Sequence, residues 1–239
     1  MSMPAADLQA LWLTLRLAAL TTLILFIIGV PLAWKLSHWR SRWRHLVEVL
    51  ITLPLVLPPT VLGFYLLLLF SPNYATGQWL AALWGEPLVF SFTGLVIASV
   101  IYSLPFMVQP LLASFSQNGQ RLSQAAAALG IPPAIALFKV LLPASKAAIV
   151  SACALSFAHT LGEFGVVLMI GGAIPGETQV VSIALFQHVE ALQYGAAHRL
   201  AIVLLLVTTA LLLLARWLGR NPAGAALPQP VAGVPGVPG

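Results

Sequence analysis

The chain predicts an all-α, polytopic membrane protein of about five transmembrane helices, and three observations carry that prediction. Composition is the first: the 239 residues are 60% hydrophobic and 7% charged, with a mean hydropathy of +0.97, where a soluble domain carries roughly 25% charged residues. The second is the length of the apolar runs. Residues 11–34, 47–70, 88–113 and 144–170 can each cross about 30 Å of hydrocarbon as a helix, and a fifth run covers 200–218. Lipid offers backbone groups no partners, so helices are the expected form of each run. The third is charge placement. Lys35, Arg40, Arg42 and Arg44 lie between the first two runs, Arg121, Lys139 and Lys146 in or beside the third connection, and Arg216 and Arg220 after the last; these are nine of the eleven basic residues. The remaining connections hold Glu86, Glu177 and Glu190 with only Arg199, and Asp7 marks the amino end. The positive-inside rule then puts the first and third connections and the carboxyl end in the cytoplasm and the amino end outside. The net charge of +5 is thus a topology signal and calls for no nucleic acid.

Taken in order, the first run is not a cleavable secretory signal. It exceeds the apolar core of one, lacks a basic region before it and is followed by no small-residue cleavage site. Pro54, Pro58 and Pro59 interrupt the second run, and Pro105 and Pro110 the third. Each proline removes a helix hydrogen bond and crowds the preceding turn, so kinks or unwinding are expected. Carbonyls freed within the bilayer must be buried in protein or line a wet cavity, which makes the second run a candidate pathway wall. Cys153, the only cysteine, cannot form an internal disulfide and reads as a small packing residue. Residues 179–192 are apolar but too short to span as a straight helix. From residue 219 to 239 the Pro- and Gly-rich sequence has no charge after Arg220 and predicts a disordered cytoplasmic tail, leaving 1–218 as the membrane domain.

Glu163 lies about 28 Å along the fourth run from Ala144, at 1.5 Å per residue, near its outer end. A carboxylate is a poor ligand for an anion, so a gate latch or a helix contact is expected there, against simple exposure at headgroup level. His159 shares its face. It reads as a hydrogen-bonded packing residue, since no second ligand stands at metal-site spacing. Ser156, His159 and Glu163 are the only polar cluster that could serve a membrane-embedded enzyme, and no nucleophile or metal motif accompanies them. Arg16, about 7 Å from the outer start of the first run, sits at similar depth to Glu163. A pair of opposite charge would offset burial, within one subunit or between two.

The connection after the third run holds the clearest pattern. Gln124-Ala125-Ala126 is followed by three residues and Gly130, then by nine residues and Val140-Leu141-Leu142-Pro143. Leu122, Ala125 and Leu129 fall on one helical face. Small Ala125, Ala126 and Gly130 would let another backbone approach, and Pro132-Pro133 would end one helix and start another. This spacing resembles the cytoplasmic coupling loop of ABC-importer membrane subunits, written EAA-x3-G-x9-I-x-LP. Here the loop covers 114–143, between the third and fourth spans. Gln124 stands where the motif often has Glu; it keeps an acceptor oxygen and loses the charge, so a salt bridge from it is in doubt. The chain has no G-x-x-x-x-G-K-[ST] loop, so ATP hydrolysis would come from another subunit.

Three further segments narrow the resemblance. Leu53-Pro54-Leu55-Val56-Leu57-Pro58-Pro59 with Gly63, Leu161-Gly162-Glu163-Phe164-Gly165, and Ile174-Pro175-Gly176-Glu177-Thr178 are similar to molybdate permeases and occur in their order. The resemblance implies a type I importer of the bacterial inner membrane. Two copies of the chain would form the pore, two cytoplasmic ATP-binding subunits would dock on the loops, and an extracytoplasmic oxyanion-binding protein would deliver a tetrahedral dianion. Molybdate is the expected substrate, with sulfate or tungstate as alternatives. Transport would proceed by alternating access, with Arg16, Pro54, Pro58, Pro59, His159, Gly162, Glu163 and Gly165 as pathway or gate candidates. The chain would do no covalent chemistry and hold no cofactor or metal. A secondary transporter or channel also fits the hydrophobicity, but leaves the docking-loop spacing unexplained.

Overall fold

The computed structural model describes residues 3–219 as helices joined by short turns, without a strand among the described residues. Of the tail expected over 219–239, only Gly219 is among them. Helix α1 (Ala5–His38) follows Pro4 and runs through Pro31 without a break. The second apolar run is two helices, α2 (Trp43–Val56) and α3 (Pro59–Phe70), whose axes differ by 109°. Pre-proline sterics explain the corner. Leu57 and Pro58 each precede a proline and are pushed to extended ψ values of 139° and 133°, and Pro59 then opens α3 at a position where its missing N–H is harmless. The expected kink is therefore a corner, and 47–70 is not one straight span.

A short helix unanticipated from the sequence, α4 (Ala75–Trp84), follows and is closed by Gly85 in the left-handed region at φ +82°. Helix α5 (Phe92–Ser114) is capped by Ser91, whose Oγ accepts from the Gly94 N–H at 3.0 Å. It continues through Pro105 and Pro110. A π-helical turn (Phe115–Gly119) leads into α6 (Gln120–Ala128), α7 (Pro133–Ala136), a second π-helical turn (Leu137–Leu141) and α8 (Leu142–Ala144). The fourth run is also broken. Helix α9 (Lys146–Gly162) stops at Glu163, whose ψ is 128°, and α10 (Gly165–Gly171) restarts beyond Phe164. This corrects the expectation of one helix over 144–170. Helix α11 (Val181–Glu190) and α12 (Tyr194–Leu218) complete the chain. By length and composition, α1, α5 and α12 can each cross a membrane, and the number reaches five if α2 with α3, and Pro133–Ala144 with α9 across an 80° bend, each count as one span.

Helix α5 is the centre, packed against α1, α2, α9 and α10. One buried cluster joins Leu17, Leu95, Val166 and Ile170 toward the start of α5, and another joins Leu25, Met107, Leu111, Phe115 and Leu141 toward its end. Helix α11 lies against α1 and α12, and its first N–H, from Val181, is held by Thr14 Oγ1 of α1 at 2.8 Å. Two crossings need glycine. A Cβ on Gly29 of α1 would stand 2.7 Å from Met107 Cγ of α5, and one on Gly63 of α3 would stand 3.2 Å from the Val166 backbone of α10. Close approach of this kind is how helices associate where lipid removes the hydrophobic drive.

Gly63→Val should therefore separate α3 from α10 at an overpacking penalty of about 1–3 kcal/mol. The expected result is a lower unfolding temperature in detergent, while Gly195→Ala, whose added Cβ meets only an Arg199 tip at 4.0 Å, leaves it unchanged or higher.

Candidate functional site

The docking-loop residues form a rigid protrusion beyond the ends of α1 and α5. Ile131 N–H reaches the Ala126 carbonyl and Gly130 N–H the Ala127 carbonyl, both at 2.9 Å. With Gly130 at φ +71°, this is a Schellman closure of α6. The glycine of the motif thus supplies a left-handed backbone, not room for a neighbour, since a Cβ there would meet nothing within 4 Å. It also corrects the reading that Pro132-Pro133 ends the first helix: α6 ends at Ala128 and is closed by Gly130, and Pro133 only starts α7. Glycine directly after an Ala-rich run was the signal available in the sequence.

Within the loop, apolar residues divide into anchors and knobs. Leu137 and Leu141 are buried beside Phe115, with half-buried Leu122 and Leu142 packed on them, and Val140 is half-buried. Ala126 is 4% exposed and packs inward, so it is not available to another chain as expected. Gln124, Ala125, Gly130 and Pro143 are exposed, and Leu129 and Phe138 are exposed by 78% and 66%. His38 Nε2 meets Ser123 Oγ at 3.2 Å, tying α6 to the last turn of α1. The loop is thus held by the bundle and presents large apolar side chains away from it, the arrangement of a contact surface.

Of the other candidates, Pro59 and Gly165 meet where the two broken spans cross. A Cβ on Gly165 would stand 2.8 Å from Pro59 Cβ, so the start of α10 lies directly on the start of α3. Pro54 is buried, while Pro58, Pro59 and Gly162 are exposed, and nothing lies within 4 Å of a Cβ built on Gly162. Glu163 is 3% exposed, which overturns exposure at headgroup level. Neither carboxylate oxygen has a hydrogen-bond partner among the described residues, and its carbonyl accepts from Ser182 Oγ of α11 at 2.5 Å. Arg16 is exposed and places its guanidinium 4.8 Å from the Phe92 ring. No Arg16–Glu163 ion pair forms within the chain, because one side chain turns outward and the other is enclosed.

His159 behaves as a packing residue. Its Nδ1 lies 2.8 Å from Ser103 Oγ, and its ring stacks on Phe106 and meets Tyr102 edge-on. Ser156 Oγ has no partner among the described residues, so Ser156 and His159 do not pair; the serine that meets His159 is Ser103. Among the described residues, no His, Cys, Asp and Glu group has metal-site geometry.

At the end of the bundle opposite the docking loop, sequence reasoning missed a further pair. Asp7, 3% exposed in the first turn of α1, accepts at Oδ1 from His188 Nε2 of α11 at 2.9 Å. His188 Nδ1 contacts Gln193 Oε1 at 2.9 Å. Their separation of 181 positions left no local signal. The Asp7 hydrogen bond raises the His188 pKa above its ordinary value, against partial desolvation and the Arg199 charge. Folding thus favours protonated His188, so this contribution is full below about pH 6.5, the unfolded value, and is lost as pH rises through the higher folded value. Unfolding temperatures in detergent across this range should fall with rising pH more steeply for wild type than for His188→Gln.

The comparisons with known proteins agree with this architecture. The family model described as "Binding-protein-dependent transport system inner membrane component" matches residues 25–223. The chain is 50% identical over 195 residues to the molybdenum transport system permease protein ModB of Azotobacter vinelandii, covering 82% of this chain and 86% of that protein. It is 34% identical over 199 residues to the sulfate transport system permease protein CysT of Escherichia coli, covering 83% and 72%. Among solved structures, a bacterial ABC transporter involved in import of the acidic polysaccharide alginate matches with a TM-score of 0.74 at 18% identity, over 91% of this chain and 80% of that one. The MetNI methionine ABC transporter, in an inward-facing form, matches at 0.70 and 16%, over 92% and 98%. These last two share the fold. The family match and the identity to curated permeases carry the assignment: the chain belongs to the inner membrane components of binding-protein-dependent transport systems.

Proposed function

We propose that the chain is the permease subunit of an ATP-driven importer for a tetrahedral oxyanion, molybdate above others. The observation that carries this is 50% identity, over most of both chains, to a molybdenum permease. The 34% identity to a sulfate permease supports sulfate as the second reading, and tungstate, nearly isosteric with molybdate, as a competitor. Two copies form the pore, two ATP-binding subunits receive the docking loops, and an extracytoplasmic binding protein selects the anion. The protruding Leu129 and Phe138 support the docking role. The loop then faces the cytoplasm, and the amino end, with the Asp7–His188 pair, faces outward.

The crossing of α3 and α10 is proposed as the gate. Pro54, Pro58 and Pro59 set one corner, Gly162, Glu163 and Gly165 the other, and His159 braces the wall beneath. Alternating access would hinge these corners as ATP draws the docking loops together. Arg16 contributes from the second copy or at the lipid surface.

Two experiments test this reading. Purified with its neighbours, the wild-type chain should bring along an ATP-hydrolysing subunit and drive ATP-dependent molybdate uptake, tungstate competing and sulfate competing poorly. Uptake without ATP by the chain alone would instead favour a secondary transporter. Gly130→Val should abolish subunit copurification and uptake without loss of membrane insertion, because a β-branched residue resists φ +71°. Gly130→Asn, which tolerates that region, should retain both; equal loss in the two variants would remove the backbone argument.

A further inference from the structure

Helix α5 is enclosed on most sides and open on one. Its Ser103 faces α9 through His159 and Thr160, and its Met107 and Val108 face Gly29 of α1. At Gln109 it meets α2, where the Gln109 amide Nε2 donates to Thr52 Oγ1 at 3.1 Å. Between α2 and α9, Tyr102, Phe106 and Gln109 fall within about 60° of arc at 3.6 residues per turn and form the floor of a groove. Thr52 stands on one side. On the other, His159 stacks on Phe106, with ring centroids 4.1 Å apart, and meets Tyr102 at 4.7 Å.

Depth makes this groove unusual. Gln109 is exposed, yet it lies eight positions inside the end of its membrane span at Gln117, about 12 Å at 1.5 Å per residue. Polar side chains at such depth face a bundle interior or a water-filled cavity. By contrast, Leu23 and Ile27 of α1 and Leu205 and Leu206 of α12 present bare apolar surface of the kind acyl chains cover. The Pro58-Pro59 corner and Gly162 are exposed as well, and broken backbone is tolerated only where it meets protein or water.

The hydrogen-bond chain beside the groove fixes which groups can donate. Thr160 spends its proton on the Ser156 carbonyl at 3.0 Å. Ser103 must then donate to Thr160 Oγ1, at 3.1 Å, and accept from His159 Nδ1–H at 2.8 Å. A neutral His159 so oriented leaves Nε2 as an acceptor, which gives an oxyanion nothing. On this side the donor is the Gln109 amide; the Thr52 hydroxyl gives its proton to the Glu48 carbonyl at 2.8 Å and serves Gln109 as an acceptor.

We propose that this groove is the chain's half of the anion route, and that the Gln109 amide, oriented by the Thr52 hydroxyl oxygen, is a neutral hydrogen-bonding station for a tetrahedral oxyanion. The proposal rests on the oxyanion-importer reading and names residues for it. In the resting arrangement Gln109 donates to Thr52; a passing oxyanion replaces that acceptor and takes the amide hydrogen bond, while the Thr52 proton stays on the Glu48 carbonyl. Donors without charge let an anion enter and leave, where a lysine or arginine would hold it.

The test uses the importer reconstituted in proteoliposomes with its ATP-binding subunits and binding protein, in a Cys153→Ser background that removes the only native thiol. Gln109→Cys and Thr52→Cys should react with a charged, water-soluble thiol reagent at least tenfold faster than Ile27→Cys and Leu206→Cys on the apolar faces. Gln109→Glu, nearly the same size but negative, should cut molybdate uptake at least tenfold while binding-protein-stimulated ATP hydrolysis stays within twofold; Gln109→Asn should keep most uptake. A Gln109→Cys thiol as inert as the apolar-face controls, or Gln109→Glu transporting at the wild-type rate, would overturn the proposal. If wild type moves none of molybdate, tungstate and sulfate, the oxyanion station falls together with the importer reading. A reactive Gln109→Cys would then still mark a wet route, because that measurement needs no substrate.

Discussion

A backbone that bends inside hydrocarbon releases carbonyl and amide groups that lipid cannot satisfy, and the architecture of this chain follows from how it houses two such bends. One is the 109° corner between α2 and α3, and the other is the Glu163–Phe164 break between α9 and α10. The chain sets them against each other. Gly165 lies on Pro59 and Gly63 lies on Val166, so two short half-helices pack at a distance that a pair of ordinary side chains would forbid. Helix α5 then serves as the spine against which both broken spans rest. The enclosure is incomplete in the single chain: Pro58, Pro59 and Gly162 remain exposed. An opening of that kind at membrane depth must face water or another protein chain.

The two ends of the bundle are built differently, which bears on how a signal could pass between them. At the docking-loop end, a Schellman closure and buried leucines make the protrusion stiff, and the His38–Ser123 contact fastens it to α1. A stiff protrusion transmits displacement, whereas a floppy one would absorb it. At the opposite end, α11 is held to α1 by two hydrogen bonds, Asp7 to His188 and Thr14 to Val181, and by a small buried cluster of Ala10, Val181, Ala184 and Leu200. The enclosed Glu163 sits between these regimes, its carbonyl bound to α11 and its carboxylate unpartnered, so movement of α11 would change its surroundings first.

The polar groups inside the bundle are few and specific in direction. Ser103, Thr160 and His159 satisfy one another along a defined path of protons, which locks the imidazole as a brace. Gln109 and Thr52 satisfy one another across two helices while still reaching the open side. Neutral and exchangeable hydrogen bonds suit a permeation route better than fixed charge does, because a dianion held strongly at membrane depth would not leave.

Composition, run length and charge asymmetry by themselves determined the membrane class and the approximate number of spans, because hydrophobic thickness is a one-dimensional constraint that a sequence states directly. The helix–turn–helix within 114–143 was legible for a similar reason: its glycine, prolines and apolar spacing are local signals, though the sequence did not show that Gly130 acts through its backbone or that Ala126 turns inward. The prolines of the second span announced a bend but not its size. What only the tertiary structure decided lies between segments. Asp7 meets His188 across 181 positions, Gln109 meets Thr52 across 57, and Glu163 is enclosed because α10 folds back against α3 instead of prolonging α9. Depth along a helix can be counted from sequence, whereas the direction a side chain faces depends on which neighbour arrives, and that is why the Arg16–Glu163 pairing inferred from equal depth is absent within the chain.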